Sequence, residues 1–147
     1  MAGFNFSLET VLQYRRRIEE DCQRKLAAAL ADLSIEKRGL AGIENSRDQG
    51  REEFQQKLKS NMTASEMLFY QRYFDQLAFD IEDQKRKVAA AAQLFEKRRT
   101  ELIAALKKRK VLDKLKEKQM TAAAKKGLKR EQDFMNEMAV IRHARPR

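Results

Sequence analysis

Residues 63–112 read TASEMLFYQRYFDQLAFDIEDQKRKVAAAAQLFEKRRTELIAALKKRKVL and carry a regular heptad repeat. The repeat opens with a capping box, in which Thr63 and Glu66 are spaced to bond each other's backbone amides. Apolar residues then recur at every seventh position: Met67, Phe74, Ile81, Val88, Phe95 and Leu102. The seam positions between them are Tyr70, Leu77, Gln84, Ala91, Arg98, Ala105 and Leu112. A stripe sustained over about six heptads without Gly or Pro predicts a coiled-coil helix, which needs a partner of similar length.

A second apolar stripe, in residues 8–58, supplies this partner. Its members lie mostly three, four or seven positions apart: Leu8, Val11, Leu12, Ile18, Cys22, Leu26, Ala29, Leu33, Leu40, Ile43, Phe54 and Leu58. The only break between the stripes is Ser60-Asn61-Met62. So short a linker between long helices predicts an antiparallel hairpin, in which facing residue numbers sum to about 123 and the two stripes match within about half a heptad.

The predicted fold is therefore all-α, a long antiparallel two-helix coiled-coil hairpin that forms a single domain over residues 1–147. We expect helix 1 at about 8–59, the turn at about 60–63 and helix 2 at about 64–142, so that helix 2 overhangs helix 1. Three glycines, Gly39, Gly42 and Gly50, interrupt helix 1, and each costs about 1 kcal/mol relative to Ala. Either a long exposed helix tolerates them, or they mark a bend or a close contact between the helices.

The charge is unevenly placed. The chain carries a net +10, and residues 106–147 contain 14 basic and 5 acidic side chains, a local net of +9. Such a field attracts nucleic acid, anionic lipid or an acidic protein surface. The single cysteine, Cys22, excludes an internal disulfide framework. With neither a membrane-spanning run nor a signal pattern, we expect a cytoplasmic, soluble protein.

No catalytic constellation is present. The sequence lacks a phosphate-binding glycine loop, and its one histidine, His143, lies in the basic tail. A two-helix hairpin also offers no enclosed pocket. We therefore expect a protein that is not an enzyme and has no catalytic residue, cofactor or metal ion.

Two basic clusters meet in the predicted hairpin. Arg15, Arg16 and Arg17 lie alongside the run from Lys107 to Lys110, which Lys114, Lys116 and Lys118 follow. Arg109 and Lys116 occupy seam positions that are expected to be apolar. The clusters are either a solvated helix face or an electrostatic docking end for an acidic partner.

Apolar side chains also cluster away from the predicted core. Tyr70 and Phe74 should point inward, whereas Tyr73 and Phe79 should be exposed or half-exposed, either as contact anchors or as a cover for the hairpin end. Beyond helix 1, an apolar stripe either binds a partner helix or belongs to a frayed tail. Its members are Met120, Phe134, Met135, Met138 and Ile141.

Three segments resemble the flagellar FliJ family. The opening Phe4-x-Phe6-x-Leu8-Glu9-x-Val11-Leu12-x-Tyr14-Arg15 is similar to the start of that family. The segment 106–118, LKKRKVLDKLKEK, resembles its C-terminal signature, with Asp113 where Glu is common. The tail from Glu131 to Arg142 resembles its acidic-then-basic ending.

The resemblance implies a non-enzymatic component of the flagellar type III export apparatus, peripherally associated with the inner membrane and serving flagellum biogenesis, motility and chemotaxis. Family members form a stalk similar to that of rotary ATP synthases. They enter the hexameric export ATPase, link it to the cytoplasmic domain of the export gate membrane protein, and handle export chaperones.

The same resemblance suggests which residues meet each partner. The gate contacts map onto Tyr73 and Leu77, whereas the next positions in that series, Asp80 and Gln84, depart from the family in residue type. The ATPase ring would meet Arg15, Arg16, Arg17, Lys107, Lys108, Arg109, Lys110 and Lys114.

Two alternatives stay open. One is a basic coiled-coil protein that binds nucleic acid, although the basic segment has no interleaved aromatic residues to stack on bases. The other is the equivalent stalk of a virulence type III secretion system.

Overall fold

The computed structural model describes residues 3–144, which form two helices, α1 (Glu9–Lys59) and α2 (Ala64–Ala144). The part of the chain described contains no strand. The prediction of an all-α antiparallel hairpin with an overhanging second helix is confirmed. α1 begins one residue later than expected, and α2 extends two residues further. The single-domain organisation stays a prediction.

The reversal at residues 60–63 follows from local backbone chemistry. At the end of α1, the Ser60 N–H donates a hydrogen bond to the Lys57 carbonyl at 3.1 Å. Asn61 then adopts a left-handed conformation with φ of 59°, which Asn tolerates better than most residues. α2 opens with the Glu66 N–H donating to Thr63 Oγ1 at 3.2 Å, which is one half of the predicted capping box.

The chain divides into two compact units, which we call the turn unit (Asp21–Ile103) and the termini unit (residues 3–20 and 104–144). In the turn unit the two stripes face each other, and Ala29, Leu33, Tyr70 and Ile81 are buried. An aromatic contact joins Phe54 to Tyr70, with ring centroids 5.3 Å apart. These residue numbers sum to 124, close to the expected register.

Two stripe members next to the turn are not in the core. Leu58 and Met67 are each 48% exposed, so the prediction that they belong to the seam was wrong. The chain reverses between them, and no further helical turn covers their side chains. The seam of α2 effectively begins at Tyr70, three residues later and at the next seam position of the repeat.

The termini unit has a small apolar core made of Phe6, Leu12 and Ala105. Leu8 and Val11, also expected in the stripe, are exposed because Leu8 precedes the first helical residue and Val11 lies on an adjacent helix face. All residues of the overhang, defined as 117–144, are exposed and helical. The partner-helix and frayed-tail interpretations of the apolar stripe in this overhang both stay predictions. Neither helix, over residues 3–144, contains an apolar segment long enough to cross a membrane.

Candidate partner-binding surfaces

Four charged side chains form a network across the termini unit, here called the seam network. Arg109 donates hydrogen bonds to both carboxylate oxygens of Glu19, from Nε to Oε2 at 2.6 Å and from Nη2 to Oε1 at 3.1 Å. Its third nitrogen, Nη1, donates to Asp113 Oδ2 at 2.7 Å. The other oxygen of Asp113 accepts from Arg16 Nη2 at 3.1 Å. Two guanidinium groups thus meet two carboxylates, and the network carries no net charge.

The network shifts the protonation equilibria of its members. The Arg109 guanidinium holds the pKa of Glu19 below its ordinary value, against the opposing effect of burial. It lowers the pKa of Asp113 as well, with Arg16 adding to the effect. Hydrogen bonds from Glu19 and Asp113 raise the pKa of Arg109. These shifts favour the charged forms of Glu19, Asp113 and Arg109 at neutral pH.

A second seam cation is also paired. Lys116 Nζ lies 2.8 Å from Glu9 Oε2. The Lys116 ammonium, followed by the Gln13 amide, lowers the pKa of Glu9. Two of the three cations at seam positions of α2, Arg109 and Lys116, thus face an acidic residue of α1, whereas Arg98 pairs with Glu101 on its own helix. These pairs explain how α2 carries charge where its repeat calls for an apolar residue.

The remaining predicted docking cations point elsewhere. We call them the outer cations: Arg15, Arg17, Lys107, Lys108, Lys110 and Lys114. Arg15 is half-buried, with its Cζ 5.9 Å from the centre of the Tyr14 ring, and the other five are exposed. None of the six forms an ion pair with any residue in the range 3–144. The structure therefore separates Arg16 and Arg109, whose charges are matched internally, from six cations that remain available to a partner.

An aromatic cluster occupies the turn unit. Tyr70 is buried, and Phe54 packs edge-on against Phe74 with centroids 5.9 Å apart. The rings of Phe69 and Tyr73 are nearly parallel, with an interplanar angle of 6° and centroids 6.4 Å apart. Phe69 is 65% exposed and Tyr73 is half-buried. The inward and outward placements expected for Tyr70, Phe74, Tyr73 and Phe79 agree with the structure.

The two predicted gate residues lie on one face of α2. Tyr73 and Leu77 are four positions apart, and both are half-buried. The next residues in the series are engaged inside the unit. Asp80 accepts a hydrogen bond from Gln76 at 3.0 Å, and Gln84 donates to the Glu36 carbonyl at 2.9 Å and to its Oε2 at 2.6 Å. The half-exposed part of this face therefore centres on Tyr73 and Leu77.

Residues 4–147 match a family model described as flagellar FliJ protein. The chain belongs to the flagellar FliJ family. It is thus a protein of the type III export apparatus, and members of its family are non-catalytic, structural components of that apparatus.

One solved structure shares the fold of this FliJ-family chain. It is that of a putative YscO homologue, CT670, from Chlamydia trachomatis, with 22% sequence identity and a TM-score of 0.59. The match covers 96% of each chain, so the likeness extends over the whole hairpin. No curated protein sequence gives a significant match to the chain.

Sequence reasoning overlooked the acidic half of the seam network in this FliJ-family chain. Glu19 is 8% exposed, and it lies seven residues after Leu12 and seven before Leu26, which places it on the apolar stripe of α1. The signal available in the sequence was a pair of charged residues at positions where the heptad repeat calls for apolar ones. An acidic residue in α1 lies opposite a basic seam residue in α2 and compensates its charge. Reading the two stripes together for opposite charges would have found Glu9 with Lys116 and Glu19 with Arg109.

Proposed function

We propose that the chain is the central stalk of the flagellar export ATPase complex, which stimulates the hexameric ATPase and couples it to the export gate. The termini unit enters the ring, and the face around Tyr73 and Leu77 binds the cytoplasmic domain of the gate protein. The chain supplies no catalytic residue. The same proposal includes an escort role for export chaperones, which a pull-down with purified chaperones would test.

The outer cations are the observation on which this proposal depends. Six positive side chains lie around a neutral seam network, and none of them forms an ion pair with an acidic group of the described termini unit. Their field favours an acidic surface, whose charged groups would accept hydrogen bonds from the exposed lysines. Acidic groups lining the ring of the ATPase fit this requirement.

Asymmetry accounts for the stimulation. A pair of helices inside a sixfold ring cannot make the same contacts with all six subunits. The subunits therefore differ in free energy at any moment, and this difference biases the order in which they hydrolyse ATP. The stalk acts by differential binding, without contributing to the chemistry.

Charge reversal of the outer lysines tests the proposal. A variant with Lys107, Lys108, Lys110 and Lys114 changed to Glu should lose stimulation of the purified ATPase, because the ring would then face negative charge. The matched control reverses four exposed cations of the turn unit, Lys37, Arg38, Lys59 and Lys97, and should stimulate normally. Unchanged stimulation by the first variant, measured as the rate of phosphate release, would overturn the docking surface.

The nucleic-acid alternative makes a different prediction for the same two variants. If it were correct, the natural chain would retard random DNA or RNA at physiological salt, with an affinity that falls steeply as salt rises. The outer-lysine variant would lose that binding and leave the ATPase unaffected. The match to the flagellar family supports the export role over this alternative, and over a virulence-type stalk.

A further inference from the structure

Gly50 is the one helix-interior glycine of α1 that is buried. Glycine in a helix interior costs about 1 kcal/mol relative to Ala, so its presence at a packed position calls for a contact that a larger residue would prevent. Gly42 carries the same cost, yet an added Cβ there would meet nothing within 4 Å. The two glycines therefore differ in what surrounds them and not in their backbone conformation.

The contact at Gly50 is made by the aromatic cluster. A Cβ at this position would lie 2.8 Å from Tyr73 Cε1 and 3.3 Å from Phe74 Cε1. The first distance is shorter than any ordinary carbon–carbon contact. The edge of the Tyr73 ring thus rests directly against the backbone of α1. Gly39 differs, because its nearest neighbour is the flexible end of Gln84, at 3.0 Å.

The position of Tyr73 in turn sets that of Phe69. The two rings are stacked almost parallel, and Phe69 and Tyr73 are four residues apart on α2, as Tyr73 and Leu77 are. Phe69, Tyr73 and Leu77 therefore form one face, which we call the aromatic face. Tyr73 is seated on Gly50 on one side and supports the exposed Phe69 ring on the other. Any side chain at position 50 would push the centre of this face outward.

We propose that Gly50 is a positioning residue for partner binding: it seats Tyr73 so that Phe69, Tyr73 and Leu77 present a single aromatic face to an apolar groove on the export gate. The inference rests on the proposed gate contact. Aromatic rings held in fixed orientation supply large contact area at low entropic cost, which is why they recur as anchors of interfaces. Gly50 itself does not need to touch the partner.

The test compares Gly50→Ala with Gly42→Ala in binding to the purified cytoplasmic domain of the gate protein, measured by isothermal titration calorimetry. We expect Gly50→Ala to weaken binding about fivefold or more, since the Tyr73 ring must move. Gly42→Ala should bind as the natural chain does. Leu33→Ala, a buried turn-unit variant away from the aromatic face, controls for lost stability and should retain the affinity although its melting temperature falls.

A double-mutant cycle separates positioning from a general effect on packing. Leucine lacks the Tyr73 ring atom that lies 2.8 Å from a Cβ at position 50, so Tyr73→Leu removes the closest contact and leaves only that with Phe74 at 3.3 Å. In the Tyr73→Leu background, Gly50→Ala should cost no further affinity, and its melting temperature should recover relative to Gly50→Ala alone. Additive losses in the cycle would overturn the positioning role, and the double variant keeps the comparison possible if Gly50→Ala alone folds poorly.

The outcomes also distinguish the inference from the proposed function. If Tyr73→Ala and Phe69→Ala lose about tenfold in affinity while Gly50→Ala binds normally, the gate contact stands and the role of Gly50 fails. If all three bind like the natural chain, the gate contact itself is wrong. Loss of binding in all three, with Gly42→Ala unaffected, supports both.

Discussion

Arg109 shows how a single residue can break the heptad rule without breaking the fold. Its side chain retains 24% of its exposure, while that of its partner Glu19 retains 10%. Charges held this far from water are costly unless they are paired with good geometry. Here the guanidinium matches one carboxylate with two parallel hydrogen bonds and uses its remaining nitrogen for Asp113. Removing one partner should lower the free energy of unfolding by more than the pair contributes to it, because the other charge is then left buried without a partner.

Glu19→Gln should therefore lower the free energy of unfolding at pH 7 by about 1–3 kcal/mol, because it leaves the Arg109 charge incompletely paired. The pKa of Glu19 is lowered in the folded chain, so the unfolded chain binds more protons in acid. The stabilisation by Glu19 is present above the ordinary carboxyl pKa and is lost as pH falls through the lowered one. Thermal melts from pH 7 to pH 2 should show the two chains converging in acid.

Glu20→Gln is the control, because Glu20 is the exposed neighbour and forms no ion pair in the described part of the chain. It should melt like the natural chain at every pH. Equal melting temperatures for Glu19→Gln and Glu20→Gln at pH 7 would mean that the seam network contributes nothing to stability.

At the scale of elements, the hairpin depends on where α1 ends and α2 begins. α1 ends because Ser60 bonds back to Lys57 and Asn61 leaves the right-handed region. α2 begins because Thr63 caps it, with a hydroxyl that accepts the Glu66 N–H. These bonds are local, which is why the turn could be placed from the sequence to within a residue. Their consequence is not local, since the turn sets which residues of the two stripes face each other.

Thr63→Ala should reduce the stability of the hairpin by about 1 kcal/mol, because one of the first N–H groups of α2 loses its acceptor. Thr100→Ala is a matched substitution in the same unit. The Thr100 hydroxyl donates to the carbonyl of Glu96 within the helix, where Ala is the better helix former, so that variant should be neutral or slightly more stable. Urea titrations followed by circular dichroism would measure both. A loss of equal size in the two variants would contradict the capping role.

Across the whole molecule, packing and charge are distributed differently. Apolar contacts hold the turn unit, whereas the termini unit combines a small apolar core with the seam network. The overhang makes no buried contact anywhere in 117–144, although it holds an apolar stripe with Phe134 and Met138. Most of the chain's excess positive charge lies in α2 beyond position 106, where a partner can reach it. The exposed apolar stripe and the excess positive charge therefore both lie outside the packed core of the described chain.

Ending the chain at Lys118 should leave the melting temperature nearly unchanged, because residues beyond 117 bury no side chain against α1. The circular dichroism signal at 222 nm should fall only by the helix removed. Ending the chain at Leu106 instead removes Arg109 and Asp113 and should lower the melting temperature, because Glu19 and Arg16 are left without partners. A marked loss of stability in the chain that ends at Lys118 would show that the overhang packs on the hairpin.

Helical period, turn position and antiparallel pairing could be read from the sequence alone, because each depends on spacing along one helix or on a short linker. The sequence matched the two stripes only within about half a heptad, however. A shift of three or four residues in the register of the helices changes which acidic side chain lies opposite which basic side chain. The sequence therefore could not show that Arg16 and Arg109 are paired while Lys107 and Lys114 are not. Nor could it separate Gly50, seated under Tyr73, from Gly42 in open solvent. Those distinctions depend on the packing of one helix against the other, which supplies the opposite charge at Arg109 and the aromatic ring at Gly50.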